Sequence, residues 1–344
     1  MRLPLWLVNR RRFLSLVYLC LLSSLIVFII FHIVDYISNI KQPSTGSYRR
    51  RPECRCDRHP LPTIDLKIIS KIPKNQSDVC SDYATRRGPN QRIISISLYG
   101  PKENKRFLYN STIYFLHELI NDVNKFFSDN FILRIHHDDA VTYPDVICPI
   151  ECRYSNVDFC NMIAKRYIPP KIWRFIPAGD PLVDTMMSRD LDSPLTKRER
   201  AAIDEWLATN KSFHAMRDHP MHVTAMLGGM WGFRPSLDPA MSLSLHNKIH
   251  NKNLVQKYPG INDQAFLTNE VWPHAKSSII VHDSFICQMR YGTDTQPFSM
   301  QRPLPDATNC YIGCVRPCCL DGKLPFGECP KACRPKNHQD WIYC

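Results

Sequence analysis

No charged residue interrupts the 22 positions from Phe13 to Val34, and no acid precedes them; the first twelve residues carry Arg2, Arg10, Arg11 and Arg12. An uncharged run of this length spans a bilayer, and arginines on its N-terminal flank keep that end in the cytoplasm. No small-x-small cleavage site follows, since Ile-Phe-His-Ile-Val-Asp-Tyr offers none, which argues against a removed signal peptide. The expectation is a single-pass type II membrane protein with its bulk on the luminal side. A His-Glu-x-x-His motif is also absent. A luminal metal hydrolase would therefore rest on the looser cluster His214, Asp218, His219 and His222, in which Pro220 breaks any helix aligning the imidazoles.

What is present agrees with an oxidising compartment. Of 15 cysteines only Cys20 lies in the apolar run, leaving 15 − 1 = 14 for pairing. Seven of them fall between Cys310 and Cys344, an odd number, so at least one pairs outside that segment or between chains, and a disulfide-linked oligomer is open. Sequons begin at Asn75, Asn110 and Asn210. The formal charge of +12 includes the four cytoplasmic arginines, and Arg49-Arg50-Arg51 adds a second cluster. Nucleic acid is therefore not the indicated partner, whereas an anionic acceptor remains open.

The chain divides into a cytoplasmic tail (1–12), a membrane anchor (13–34), a luminal stem (35–90), a catalytic domain (91–300) and a Cys-rich, disulfide-stapled tail (301–344). Arg92 to Gly100 is β-rich, Thr112 to Phe127 places Ile113, Leu116, Ile120, Val123 and Phe127 on one helical face, and Asn130 to His137 is a second strand. This strand–helix–strand opening implies an open α/β sheet. Ligands of such sheets sit beyond the carboxyl ends of the strands, which puts Tyr99, His137, Asp138 and Asp139 on the ligand edge, unless the His/Asp run is a solvated turn. Trp173 to Pro177, Val183 to Met187, Ser212 to Met216 and Ser277 to Val281 read as further strands. Pro194 to Asn210 reads as a helix with a solvated charged face that includes Glu199, Asp204 and Glu205.

The central stretch is Ser188-Arg189-Asp190-Leu191-Asp192-Ser193, at the end of an apolar strand. Carboxylates two residues apart on extended chain share a side and repel, so a pair kept in a cleft calls for a cation such as Mn²⁺ or Mg²⁺. Arg189 between them adds a fork that grips phosphate. The competing reading is a helix cap, with Ser193 at the N-cap and Pro194 in the first turn. Downstream, Gly228-Gly229 permits close approach of a ligand and Trp231 offers a flat face for a sugar, or else is a core residue beside a turn. Asp263-Gln264 and a strand ending at His282 complete the order.

That order resembles the GT-A fold glycosyltransferases of the Golgi, and among them the retaining, metal-dependent type of glycogenin and the lipopolysaccharide galactosyltransferases. The resemblance covers roughly residues 92–284 and is one of motif order; the Gly-x-x-Lys-Pro-Trp that follows the late histidine in the glycogenin type is lacking. It implies an open mixed sheet flanked by helices and a nucleotide diphosphate sugar as donor. It also implies a divalent cation on Asp190, Asp192 and His282, and Asp263 and Gln264 at the face of the donor sugar. Asp138 or Asp139 is expected at the base or ribose, and Asp218 or His219 is a second candidate for the base on the acceptor hydroxyl of a glycan, glycolipid or glycoprotein. The alternatives are the hydrolase above and a non-catalytic membrane-tethered module with a Cys-rich knob.

Overall fold

The computed structural model describes residues 54, 56, 58, 79–100, 105–138, 143–259, 262–287 and 294–344, excepting the side chains of 105–112, 143, 144 and 294. Glu53–Cys344 forms one compact unit. The expected anchor, Asp139 and the Asn75 sequon lie outside the described residues; among those described, no helix is long and apolar enough to cross a membrane. Asn210 is exposed just beyond a helix, whereas Asn110 falls within one.

The architecture is a mixed eight-stranded sheet with elements packed on both faces. Its strands are β1 (Gln91–Leu98), β2 (Phe131–His137), β3 (Val157–Asn161), β4 (Val183–Ser188), β5 (Phe213–Arg217), β6 (Trp231–Phe233), β7 (Ile279–Asp283) and β8 (Asp294–Gln296). The spatial order is β3-β2-β1-β4-β6-β5-β7-β8, and β6 alone runs against the others. The carboxyl ends of β1, β4, β5 and β7 therefore share one edge.

Period-two alternation sorts the strand residues between two cores. Ile94, Ile96, Met187 and Ile280 face α1 (Lys105–Phe126) and α3 (Lys197–Leu207), against Leu116, Ile120, Val123, Ile203 and Trp206. Ile93, Met186, Ala215 and Val281 face the other way, against α2 (Pro170–Trp173), α4 (Pro239–His250) and α5 (Asp263–Phe266). The expected strand at Trp173–Pro177 is not formed. Pro169-Pro170 sets up a single helical turn, and a 3₁₀ turn at Ile176–Gly179 follows. Helix α3 starts at Lys197, with Thr196 rather than Ser193 as its cap; the Thr196 hydroxyl accepts from Glu199 N at 3.0 Å.

All fourteen described cysteines are paired within the chain: Cys54–Cys148, Cys56–Cys152, Cys80–Cys160, Cys287–Cys333, Cys310–Cys319, Cys314–Cys318 and Cys329–Cys344. The odd cysteine of the tail, Cys333, reaches Cys287. No described thiol is left for a disulfide between chains.

His136 on β2 is fully buried, its Nδ1 3.3 Å from the Ser95 hydroxyl, and burial lowers its pKa from 6.5 to about 3. Below pH 6.5 the unfolded chain takes up a proton that the folded chain refuses. Stability present above that pH is therefore lost on acidification, by about 2 kcal/mol at pH 5 from this group. Urea unfolding at pH 7 and pH 5 should show the loss, and His136→Gln should flatten it by about that amount; an unchanged slope in the variant would contradict the assignment.

Candidate active site

The carboxyl edge of β1 and β4 gathers most of the expected residues around one that carries no motif, Arg174. This residue follows α2, and its backbone N–H donates to the Ser97 hydroxyl on β1 at 3.1 Å. Its guanidinium is buried and forked. Nη1 pairs with Asp190 Oδ1 and donates to the Arg189 carbonyl at 3.1 Å, while Nη2 pairs with Asp263 Oδ2 at 2.8 Å. One arginine thus ties the turn after β4 to the start of α5.

The glycine pair lies directly against this assembly. A Cβ on Gly229 would collide with Asp190 Oδ2, and one on Gly228 would collide with Asp263 Oδ2 and stand 2.7 Å from Arg174 Nη2. Space requires glycine at 228, whereas a methyl at 229 fits only if the Asp190 side chain turns away. Gly228 is held by its carbonyl, which accepts from the Ser188 hydroxyl at 2.6 Å, and by its N–H, which donates to Gln264 Oε1 at 3.1 Å. The Gln264 amide also donates to the Met226 carbonyl. Tyr99, 39 % exposed, stands at the end of β1 edge-on to Trp173. Burial raises its phenol; Arg174 opposes that, and the charges of Asp263, Asp190 and Asp192 add to it.

The two aspartates of Asp-x-Asp differ. The Asp190 side chain is half exposed; desolvation works against its charge, but the Arg174 guanidinium prevails and holds the carboxyl below its ordinary value. Asp192 is raised above its ordinary value by burial and then by the negative charge of Asp190. It is the carboxylate of the pair that its surroundings leave under-compensated.

Four expected assignments need correction. Arg189 does not face the edge: its guanidinium is buried, paired with Glu199 and donating to the Ser188 and Trp231 carbonyls, so it cannot grip phosphate. Glu199 is correspondingly a buried counter-ion, not part of a solvated face. Trp231 is 1 % exposed and packs edge-on against Phe175, a core residue with no face for a sugar. Asp218 is fully buried and saturated, accepting from Arg198, Arg302, the Ser284 hydroxyl and Ile312 N. These partners outweigh its burial and hold it well below the carboxylate range, so it is a structural anchor and not a base.

The fourth is His282. Its Nδ1 lies 2.8 Å from His214 Nε2, and its Nε2 lies 3.1 Å from Glu205 Oε2 and 2.7 Å from Gln296 Nε2. It sits on the α3 face of β7, opposite the face on which Arg174 and Asp263 pack. Between β4 and β7 stand β6 and β5, three strand spacings or about 14 Å. Convergence of His282 with Asp190 and Asp192 on one cation is not formed, and no group of three metal-ligating side chains occurs among the described residues.

The looser histidine cluster is split as well. His214 stacks on Trp206 beneath α3, whereas His219 and His222 lie beyond β5 against Tyr311. His219 is half-buried, its Nδ1 accepts from Met221 N at 3.0 Å, and burial, then Arg302, lower its pKa. Asp138 follows the end of β2, on the same edge as Tyr99 but one strand further out.

No protein-family model matches this chain, and no curated protein matches it. The solved structures similar to this chain include two glycosyltransferases. One is a glycosyltransferase involved in the glycosylation of the major capsid of PBCV-1, 15 % identical, TM-score 0.31, covering 57 % of this chain and 82 % of that one. The other is the glycosyltransferase GlyE of Streptococcus pneumoniae TIGR4, 12 % identical, TM-score 0.35, covering 56 % of this chain and 45 % of that one. Likenesses of this size do not define the reaction of this chain.

Proposed function

We propose that the chain is a glycosyltransferase that binds a nucleotide diphosphate sugar at the carboxyl edge of β1 and β4 and transfers the sugar to a hydroxyl of a glycan, glycolipid or glycoprotein. The observation that carries the reading is the meeting of three separated segments at Arg174: Asp190 and Asp263 pair with it, Gly228-Gly229 abut those carboxylates, and Gln264 bonds to Gly228. The seven disulfides agree with the type II, luminal placement.

Asp190 and Asp192 suit a divalent cation, Mn²⁺ or Mg²⁺, because Arg174 offsets Asp190 but burial and that neighbouring charge still act against the Asp192 carboxylate. When bound, the ion offsets charge that develops on the leaving diphosphate. Arg174 supplies a fixed positive charge beside the same carboxylates. Gly228 and Gly229 keep the floor of the site free of side chains. Asp263, oriented by Arg174, is assigned the stabilisation of positive charge on the donor sugar. His219, kept neutral, is the candidate base for an acceptor, and the saturated Asp218 is not.

Screening the luminal part against nucleotide sugars, with and without Mn²⁺, tests the reading; no turnover and no donor hydrolysis with any donor would end it. Asp192→Asn should raise the Mn²⁺ needed by roughly tenfold or more while leaving the melting temperature unchanged or higher, since like-charge repulsion is relieved. Protons compete for Asp192, so cation binding to the wild type should weaken as pH falls through a pKa above the ordinary carboxylate value. Glycans on the luminal sequons, removable by endoglycosidase, test the placement.

A further inference from the structure

The Cys-rich tail reaches into the site proposed above. Its disulfide Cys314–Cys318 closes a loop whose interior residues are Val315, Arg316 and Pro317. From this loop Arg316 N donates to the Asp192 carbonyl at 2.8 Å. The buried Arg316 guanidinium pairs with Asp122 on α1, and the same Asp122 oxygen accepts from Leu195 N at 2.9 Å. The loop is itself fastened to the edge of the sheet. Ile312 N donates to Asp218, and Gly313, in the left-handed region at φ 90°, packs on Met230, next in sequence to the Gly229 that abuts Asp190.

We infer that Arg316 is a positioning residue for Asp192, and that the Cys314–Cys318 loop holds the Asp190–Leu195 turn in the shape that cation binding requires. This rests on the reading of Asp190 and Asp192 as cation ligands. Arg189 anchors the start of the turn through Glu199, and Asp122 anchors its end through Leu195. Arg316 joins the middle to the end, its backbone holding Asp192 and its guanidinium the Asp122 that caps Leu195.

The test is calorimetric binding of UDP and of GDP across a Mn²⁺ series, with melting temperatures, for the wild type, Arg316→Ala, Arg316→Lys and Arg334→Ala. Arg334 braces the same tail through Glu328 and the Cys329 carbonyl without touching the turn, so its variant matches a loss of tail stability alone. Asp122→Asn, which keeps an acceptor for Leu195 N, is the second variant if Arg316→Ala does not fold. The expected result is at least a tenfold higher Mn²⁺ requirement in Arg316→Ala or Asp122→Asn, partial recovery in Arg316→Lys, and no change in Arg334→Ala. A wild-type requirement in folded Arg316→Ala or Asp122→Asn overturns the inference and leaves the site reading standing, as does an equal rise in Arg334→Ala. Failure of the wild type to bind either nucleotide with Mn²⁺ overturns both.

Discussion

Arg174→Ala is expected to remove nucleotide diphosphate binding and to lower stability by about 3 kcal/mol. Removing one partner of a buried ion pair leaves the other charge uncompensated, at roughly 3–5 kcal/mol. The low end applies because Asp190, half exposed, can turn to water, while Asp263 at 7 % side-chain exposure cannot. Arg174→Lys should recover part of the stability, since an ammonium pairs with one carboxylate but cannot fork between two. The double variant Arg174→Ala/Asp263→Asn should regain much of the stability and none of the binding. Chemical denaturation and calorimetry on the four proteins separate the two effects. Binding retained in Arg174→Ala would show that the arginine is a brace and no more.

Gly229→Ala is expected to do the opposite: little to the fold and much to the reaction. The added methyl falls on the Asp190 carboxylate, which is half exposed and turns away from Arg174; the arginine keeps Asp263 and the Arg189 carbonyl. A stability change below about 1 kcal/mol follows, because surface side chains adjust at little cost. Displacing the carboxylate by about 1 Å can lower turnover of the donor sugar by roughly 10²-fold. Gly228→Ala is the contrast, since its methyl meets Asp263 and Arg174, both buried and mutually paired. It should cost about 1–3 kcal/mol as an overpacked site does, with turnover lost as well. If Gly229→Ala keeps full turnover, Asp190 is not at the reacting centre.

The strands were readable because they are apolar and short: β1, β2, β4, β5 and β7 all lie where residue pattern placed them, and α1 keeps the expected inward face. Motif order also brought Asp190, Gly228, Gly229, Asp263 and Gln264 to one place. Arg174 was not readable. It sits in an aromatic, proline-flanked segment resembling a strand, and its function comes from two carboxylates 16 and 89 residues away. The misassigned polar residues share one cause. Arg189, Asp218 and His282 are each neutralised or bonded by partners from other elements: Glu199, Arg198 with Arg302, and Glu205 with His214. Local pattern shows that a residue is charged but not which distant group saturates it. The role of the tail was hidden in the same way, because Arg316 meets Asp192 across more than a hundred residues of intervening chain.

The most direct measurement is a crystal structure of the unit Glu53–Cys344 grown with UDP and Mn²⁺, or with GDP if calorimetry favours it. The account places the diphosphate at the carboxyl edge of β1 and β4, with the ion on Asp190 and Asp192, Arg174 beside it and Gly228-Gly229 beneath. A nucleotide bound elsewhere, for instance against His214, His282 and Glu205 on the opposite face, or an ion that leaves Asp190 and Asp192 untouched, would contradict it.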